Sequence, residues 1–183
     1  MRKNPRPEML RYRLISPEVQ LDEKRSTEVS LSDFLAKRAT RVALEATEAL
    51  EALEEMTAAL VKAKRIEQGQ AKGLVKALAE REKQGSTGIG QGCAIPHCSL
   101  DGLNKTVMMI ARSENGIDFN CVTGEKVRVF VLVVYPPHLD QERRAVLGRI
   151  VHLCRNTNWL RFLKAARTTR EINDLVSEYD NEG

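Results

Sequence analysis

The stretch Gly85 to Cys98, GSTGIGQGCAIPHC, combines alternating glycines with one histidine in an order that suits chemistry on a fixed imidazole. The glycines predict open or strained turns. They are followed by a short apolar run that ends in Pro96 and His97. Pro96 fixes its own φ and biases Ile95 toward extended geometry. The stretch therefore predicts a stiff mount for one imidazole, as nucleophilic use of a histidine requires.

Two other interpretations of the same residues stay open. His97 could be a strand-end histidine that bonds a neighbour and does no chemistry. A metal site is the second alternative, because Cys93, His97 and Cys98 lie within a short span and Cys121 or His138 could add a fourth ligand. Strand alternation, however, sends Cys98 to the face opposite the other two. Buried small hydrophobes are the simpler interpretation of the cysteines.

The run REKQGSTGIGQGCAIPH, from Arg81 to His97, resembles the signature of enzyme IIA domains of the fructose/mannitol type. These belong to the bacterial phosphoenolpyruvate:sugar phosphotransferase system, and the family includes a nitrogen-regulatory branch. The resemblance implies that His97 accepts a phosphoryl group from an HPr-like phosphocarrier through Nε2, with the other ring nitrogen held by a backbone carbonyl. It further implies transfer to an enzyme IIB or use of the phosphoryl group as a regulatory signal. We expect no cofactor and no metal.

The resemblance also implies a phosphate-binding set. Arg81 matches an arginine beside the site, and a guanidinium can hold two phosphoryl oxygens at once. The amides of residues 87 to 92 could form an anion nest, with the Thr87 hydroxyl as a further donor. Transfer of a phosphoryl group depends on such positioning and charge neutralisation.

One position departs from the family pattern. Members usually carry a second histidine early in the helix after the long strand, and the apolar spacing of that helix places Arg143 there. An arginine can stabilise phosphoryl oxygens, but it cannot reproduce a hydrogen bond that depends on a neutral ring. A non-transferring regulatory domain of the same fold is therefore the alternative. His138 is a fallback for the missing ring, and His152 is expected to be structural.

The elements that must position these residues follow from hydrophobic periodicity. A capping box at 30–33 precedes a helix that periodicity alone continues to about residue 64. The resemblance implies instead a short helix at 32–39, a strand at 41–46 and a helix capped by Thr47. Further predictions are helices at 68–83, 142–155, around 159–163 and from 168, and strands at 106–111, 117–122 and 126–135, with turns at 115–116 and 123–124. The uninterrupted run at 126–135 predicts a central strand covered on both faces. Together these elements predict an α/β, three-layer domain with a mixed β-sheet flanked by helices.

Composition bounds the organisation of the chain. Its 183 residues, 42% of them hydrophobic, suffice for one domain at 31–183, with residues 1–30 as a flexible extension that can be deleted without loss of folding. No apolar run reaches the ~20 residues that span a bilayer, so we expect a cytoplasmic protein without membrane insertion. The 29 basic and 25 acidic residues are interspersed, and the net charge of +4 gives no reason to expect nucleic-acid binding.

Overall fold

A computed structural model describes residues 29–121 and 123–181. Short 3-10 turns lie at Leu31–Asp33 and Gln68–Gln70. The α-helices are α1 (Ala49–Lys62), α2 (Ala71–Lys83), α3 (Asp140–Cys154), α4 (Thr157–Ala165) and α5 (Thr169–Asn181). The strands are β1 (Gly88–Gly90), β2 (Cys93–Ala94), β3 (His97–Ser99), β4 (Val107–Ile117) and β5 (Val127–Tyr135).

Strand β5 is the centre of the sheet. It pairs in parallel with β2 and β3, which follow one another along one of its edges, and antiparallel with β4 along the other. β1 adds to β2 in antiparallel orientation. The sheet is therefore mixed, and the prediction of a central strand at 126–135 is confirmed.

Alternate residues of β5 serve two separate cores, because successive side chains of a strand point to opposite faces. Phe130, Leu132 and Val134 pack with α1 and α2, whereas Val129, Val131 and Val133 pack with α3, α4 and α5. All six side chains are fully buried. Burial on both faces explains why residues 129–134 are all apolar rather than alternating, while Arg128 near the start of the strand is exposed. The molecule has the predicted three layers, with two helices on one face of the sheet and three on the other.

The region before α1 differs from the prediction. Residues 41–46 do not form a regular strand; the chain follows the free edge of β4 and touches it at isolated parallel bridges, including Arg41 to Ala111. The predicted helix at 32–39 is reduced to the 3-10 turn and the bends after it. Helix α1 has Glu48 rather than Thr47 as its N-cap residue. Alternating small apolar residues suit an edge position equally well without requiring continuous pairing.

The predicted turn at 115–116 and the predicted strand at 117–122 also need correction, whereas the turn at 123–124 is confirmed by the bond from the Gly124 amide to the Cys121 carbonyl oxygen. No turn breaks the chain at 115–116; β4 continues to Ile117, with an irregular register after Arg112. Strand pairing resumes at Ile117 with Val127, so residues 118–121 lie in the connection and not in a strand. A bulge accommodates the extra residues while the ladder continues on both sides. The predictions of α2, α3, α4 and α5 agree with the structure to within a few residues.

The start of the described chain is tied to the last helix. The Asp180 carboxylate accepts hydrogen bonds from the hydroxyl of Ser30 and from the amides of Leu31 and Ser32, at 2.8 to 3.0 Å. Ser30 therefore does not cap the 3-10 turn, as the predicted capping box requires, but bonds a helix far along the chain. The rest of the predicted N-terminal extension lies outside the described residues, and its role stays a prediction.

Candidate functional site

His97 is the first residue of β3, which is an edge strand because β5 is its one partner within the described part of the sheet. Its ring is buried, with 6% of the residue exposed. Nδ1 lies 2.7 Å from the carbonyl oxygen of Ile95. Since a carbonyl oxygen only accepts, Nδ1 carries the proton and the ring's lone pair is on Nε2. The carbonyl anchor predicted for the second ring nitrogen is thus confirmed.

Pro96 and the neighbouring strand β5 fix the backbone that carries the His97 ring. Proline fixes the chain direction at Pro96, and the carbonyl of Pro96 accepts a hydrogen bond from the amide of Val133 in β5. Val133 is also the residue opposite His97 in the parallel ladder. The peptide bond before the histidine is therefore fixed to β5, and the Ile95 carbonyl sets the tautomer and the orientation of the imidazole.

Arg81 lies in the last turn of α2, as predicted, and α2 packs against β3. Its Nη1 donates to the carbonyl oxygen of Gly85 at 3.0 Å. This bond ties the guanidinium to the start of the glycine-rich stretch that leads to His97. A cation in the last turn also complements the negative end of the helix dipole.

Thr87 is buried and both of its donors are engaged by one carboxylate. Its amide lies 2.9 and 3.1 Å from the two carboxylate oxygens of Glu82, and its hydroxyl donates to Oε2 at 2.6 Å. Glu82 follows Arg81 at the end of α2, so the carboxylate joins the helix to the glycine-rich stretch. A direct bond from Thr87 to a phosphoryl group would require this carboxylate to leave.

Three of the six amides in the predicted nest at 87–92 donate to the protein's own oxygens. Besides Thr87, the amide of Gly88 donates to the Ser86 hydroxyl at 3.1 Å, and that of Gly92 to Glu125 at 3.2 Å. Residues 90 to 92 have left-handed φ values of 85°, 53° and 65°, which form the turn between β1 and β2. The glycines thus build a tight turn, and these three amides bind acceptors within the chain.

Arg143 lies in the first turn of α3 and is buried, with 9% of the residue exposed. Its Nε and Nη2 both donate to Oδ1 of Asp140, at 2.9 and 2.5 Å. The guanidinium carbon lies 5.4 Å from the centre of the Tyr135 ring, a cation–π contact. Tyr135 ends β5 and pairs with Ser99, two residues after His97. Arg143 is therefore held over the end of the strand that pairs with β3.

The two candidate cations come from opposite layers of the fold. Arg81 belongs to α2 on one face of the sheet, and Arg143 to α3 on the other. β3, which begins with His97, lies in the sheet between these layers. α2 packs against β3, and Arg143 contacts Tyr135 at the end of the strand that pairs with β3.

The residues of the metal alternative do not assemble. Among the described residues, no three histidine, cysteine or acidic side chains lie close enough to hold one ion. Cys93 and Cys98 belong to the cores on opposite faces of the sheet. Burial raises the pKa of the Cys98 thiol to about 12, so it stays protonated. The Cys93 and Cys154 sulfurs lie 3.5 Å apart, and burial raises the pKa of Cys154. The interpretation of these cysteines as buried small side chains is confirmed.

The other two histidines are both exposed. His138 is exposed in the connection between β5 and α3, and His152 is exposed in the last turn of α3. The expectation that His152 is structural is not supported, because its side chain is not packed in a core.

Sequence reasoning missed three acidic residues that hold the site in place. Glu82 binds Thr87, Glu125 binds the amide of Gly92, and Asp140 binds Arg143. Asp140 and Arg143 are three residues apart on one helix, and this spacing predicts an ion pair from the sequence. The Glu125 contact joins residues 33 positions apart, and no local pattern indicates it.

Among the residues described, no helix combines the length and the apolar character needed to cross a bilayer. Residues 33–179 match the family model described as "Phosphoenolpyruvate-dependent sugar phosphotransferase system, EIIA 2". The chain is 30% identical to a nitrogen regulatory protein of Bradyrhizobium diazoefficiens over 147 residues, which is 80% of this chain and 94% of that protein.

Solved structures show the same fold. The nitrogen regulatory protein IIA-Ntr from Neisseria meningitidis superposes with a TM-score of 0.72 at 21% identity, covering 80% of this chain and 98% of that one. The mannitol enzyme IIA of Escherichia coli, solved in complex with phosphorylated enzyme IIB, gives a TM-score of 0.64 at 18% identity. That match covers 77% of this chain and 95% of the mannitol protein.

Proposed function

Because this chain belongs to the EIIA 2 family of the phosphoenolpyruvate-dependent sugar phosphotransferase system, we propose that it carries a phosphoryl group on Nε2 of His97. Domains of this family are phosphotransferase components, and the nitrogen regulatory relatives extend the family to regulation. The observation that carries the proposal is the 2.7 Å bond from Nδ1 to the Ile95 carbonyl.

That bond supports a nucleophilic role for the opposite nitrogen. With Nδ1 protonated, the Nε2 lone pair attacks the phosphorus of a phosphohistidine on the donor protein. The new P–N bond forms as the P–N bond of the donor breaks, and the donor imidazole leaves with the bonding electron pair. His97 keeps its proton on Nδ1 throughout, so no general base is needed. The Ile95 carbonyl also stabilises the positive charge that the phosphorylated ring develops.

The charge of the transferred group requires cations. We assign this role to Arg81 and Arg143, whose guanidinium forks can each bind two phosphoryl oxygens. Arg143 would exchange at least part of its bond to Asp140 for the phosphoryl group. Thr87 remains a candidate donor, but its bonds to Glu82 favour a role in holding the glycine-rich stretch against α2.

The proposed donor is an HPr-like phosphocarrier, and the acceptor is an enzyme IIB or a regulated target protein. The mannitol relative assembles with phosphorylated enzyme IIB in its solved complex. A shared fold makes an equivalent complex feasible here. The 30% identity to a nitrogen regulatory protein favours a regulatory use of the phosphoryl group in this chain.

Incubation with enzyme I, the HPr-like carrier of the same host, phosphoenolpyruvate and Mg²⁺ tests the proposal. Intact-mass spectrometry should find one added phosphoryl group that is lost in acid, as expected for phosphohistidine. His97→Ala should abolish the addition. His152→Ala is the matched control, because its ring is exposed in the last turn of α3, at the other end of the helix from Arg143, and this variant should be phosphorylated normally. Phosphorylation of His97→Ala would contradict the assignment.

A non-transferring regulatory domain is the second candidate. It is favoured by Arg143, which is held by Asp140 at the position where the family resemblance places a histidine. If the wild-type chain accepts no phosphoryl group while Arg143→His does, the regulatory candidate is supported and transfer is excluded for the natural protein. If both are phosphorylated, faster onward transfer to an enzyme IIB from Arg143→His would show that Arg143 over-stabilises the phosphorylated state.

A further inference from the structure

A polar cavity of about 580 Å³ lies at the end of α2 remote from Arg81. Its walls come from two connections: residues 64–70, between α1 and α2, and residues 102–105, between β3 and β4. Gln70 joins the two connections by donating from its side-chain amide to the carbonyl oxygen of Asp101 at 2.8 Å. The cavity is therefore bounded by segments that are fastened to one another.

Three cations line this cavity: Lys64, Arg65 and Lys105. Within the described part of the chain, none of the three forms an ion pair or donates a side-chain hydrogen bond to the protein. The Nε atom of Arg65 is removed from solvent and has no acceptor there. The charges of the three side chains are therefore not paired with acidic groups of the described chain, and they can attract an anion into the cavity.

The acidic residue on this wall does not neutralise the cations. Glu67 is the one carboxylate that lines the cavity among the described residues. Its side chain accepts the backbone amide of Gln70 in a capping box, and the Gln70 side chain accepts the amide of Glu67. The Glu67 carboxylate is thus hydrogen-bonded within the 3-10 turn. With three cations and one carboxylate, the wall of the cavity carries a net positive charge.

The remaining wall is apolar or carries neutral amides. Val61, Ile66, Leu103 and Val107 supply the apolar part, and Gln68 and Asn104 supply amides. The volume falls in the range of small-molecule sites, roughly 300–1,000 Å³, and far exceeds the space that one phosphate needs. Three cations suit a group with two or more negative charges, and a guanidinium matches phosphate oxygens in pairs.

We propose that this cavity binds a phosphorylated small molecule of nucleotide size. Arg65, Lys64 and Lys105 bind its phosphate oxygens, and its ring system lies on the apolar wall. The proposal does not depend on the phosphoryl-carrier function, because no residue of the cavity belongs to the His97 site. Its failure would leave that function untouched.

Isothermal titration calorimetry of the full chain at low salt tests the proposal, with ADP, pyrophosphate and adenosine as separate probes. ADP should bind saturably, pyrophosphate more weakly, and adenosine without measurable heat. Equal binding of ADP and adenosine would overturn phosphate recognition. Pyrophosphate binding as tight as that of ADP would overturn the role of the apolar wall. Absence of saturable binding by both phosphate compounds would overturn the proposal as a whole.

Substitutions at single residues test whether ADP binds in this cavity. Arg65→Gln and Lys105→Ala should each weaken ADP binding at least fivefold, while Lys72→Ala, an exposed cation on α2 outside the cavity, should leave it unchanged. His97→Ala should also bind ADP normally, which separates this cavity from the phosphoryl site. Unfolding temperatures without ligand check that each variant is folded. Unchanged ADP affinity in a folded Arg65→Gln/Lys105→Ala double variant would refute the assignment.

Discussion

Asp140 and Arg143 form a two-bond ion pair in the first turn of α3, in which Oδ1 accepts from both Nε and Nη2. The other carboxylate oxygen, Oδ2, lies 2.5 Å from Nη2 of Arg144. Asp140 therefore neutralises the buried arginine that the proposed function assigns to the phosphoryl group. A phosphoryl group on His97 would compete with Asp140 for Arg143, and Arg144 would keep the carboxylate paired.

Asp140→Asn removes the negative charge with little change of shape, so more of the positive potential of Arg143 is available to an anion. We expect the phosphorylated form to decay about two- to fivefold more slowly, the range given by partly exposed ion pairs. Intact-mass spectrometry during decay at neutral pH measures this. Asp174→Asn, which removes an exposed ion pair with Arg170 on α5, is the control and should have no effect. An unchanged or faster decay of Asp140→Asn would show that the ion pair does not oppose phosphoryl binding.

Arg81→Lys keeps a positive charge but loses the planar fork that can bind two oxygens. We expect the rate of His97 phosphorylation to fall by about tenfold, with the reaction still going to completion, because charge without the fork positions the group less well. The initial rate of mass gain at limiting carrier gives the measurement. Lys83→Ala removes the other cation in the last turn of α2 and should leave the rate unchanged. If both substitutions slow phosphorylation equally, the positive charge at the end of α2 acts on the phosphoryl group as a whole, and Arg81 makes no specific contact with it.

Thr87→Val removes the hydroxyl that donates to Glu82 at 2.6 Å. We expect the free energy of unfolding to fall by about 1–3 kcal/mol, as for loss of a buried hydrogen bond to a charged group. Urea unfolding measures this, and Thr87→Ser, which keeps the hydroxyl, should lose less. A double-mutant cycle with Glu82→Gln should show coupling between the two residues. Slower phosphorylation of Thr87→Val without loss of stability would instead place the hydroxyl on the phosphoryl group.

Gly88→Ala would place a Cβ 2.9 Å from Sγ and 3.2 Å from Cα of Cys121. The second contact is to backbone, so either β1 or the connection that contains Cys121 must shift, and we expect a destabilisation of about 1–3 kcal/mol. Gly73→Ala on helix α2 is the control, and it should change stability in the opposite direction. A Cβ at this position would meet no atom within 4 Å. That substitution should stabilise the protein by up to about 1 kcal/mol. Thermal or urea unfolding of the two variants compares them directly.

The buried thiols predict a loss of stability at alkaline pH. Burial raises the pKa of Cys98 from 9.0 to about 12 and also raises that of Cys154. Between pH 9 and about pH 12 the Cys98 thiol loses its proton in the unfolded chain but keeps it in the folded chain. The contribution of this thiol to the free energy of unfolding is therefore fully present below about pH 9 and is lost as the pH rises. The slope is at most about 1.4 kcal/mol per pH unit for each thiol. Urea unfolding at several pH values should show a shallower decline for Cys98→Ala; an identical slope would contradict the assignment.

The sequence by itself determined the parts of this protein that depend on local pattern. The most continuous apolar run of the chain, at 129–135, predicts a central strand, because a strand buried on both faces needs consecutive apolar residues. Helical periodicity predicts α2 with Arg81 in its last turn. Pro96 before His97 predicts a rigid mount, since the proline ring fixes its own φ and restricts Ile95 before it.

Tertiary structure decided what depends on groups that meet from distant parts of the chain. Residues 41–46 alternate as a strand does, yet they form isolated bridges, because pairing depends on the irregular edge of β4 and not on their own propensity. The amides of the glycine-rich stretch look available in sequence, but Glu82 and Glu125 occupy two of them in the folded chain. A hydrogen bond goes to whichever acceptor the fold brings within about 3 Å, and only the packing of the layers determines which carboxylate that is.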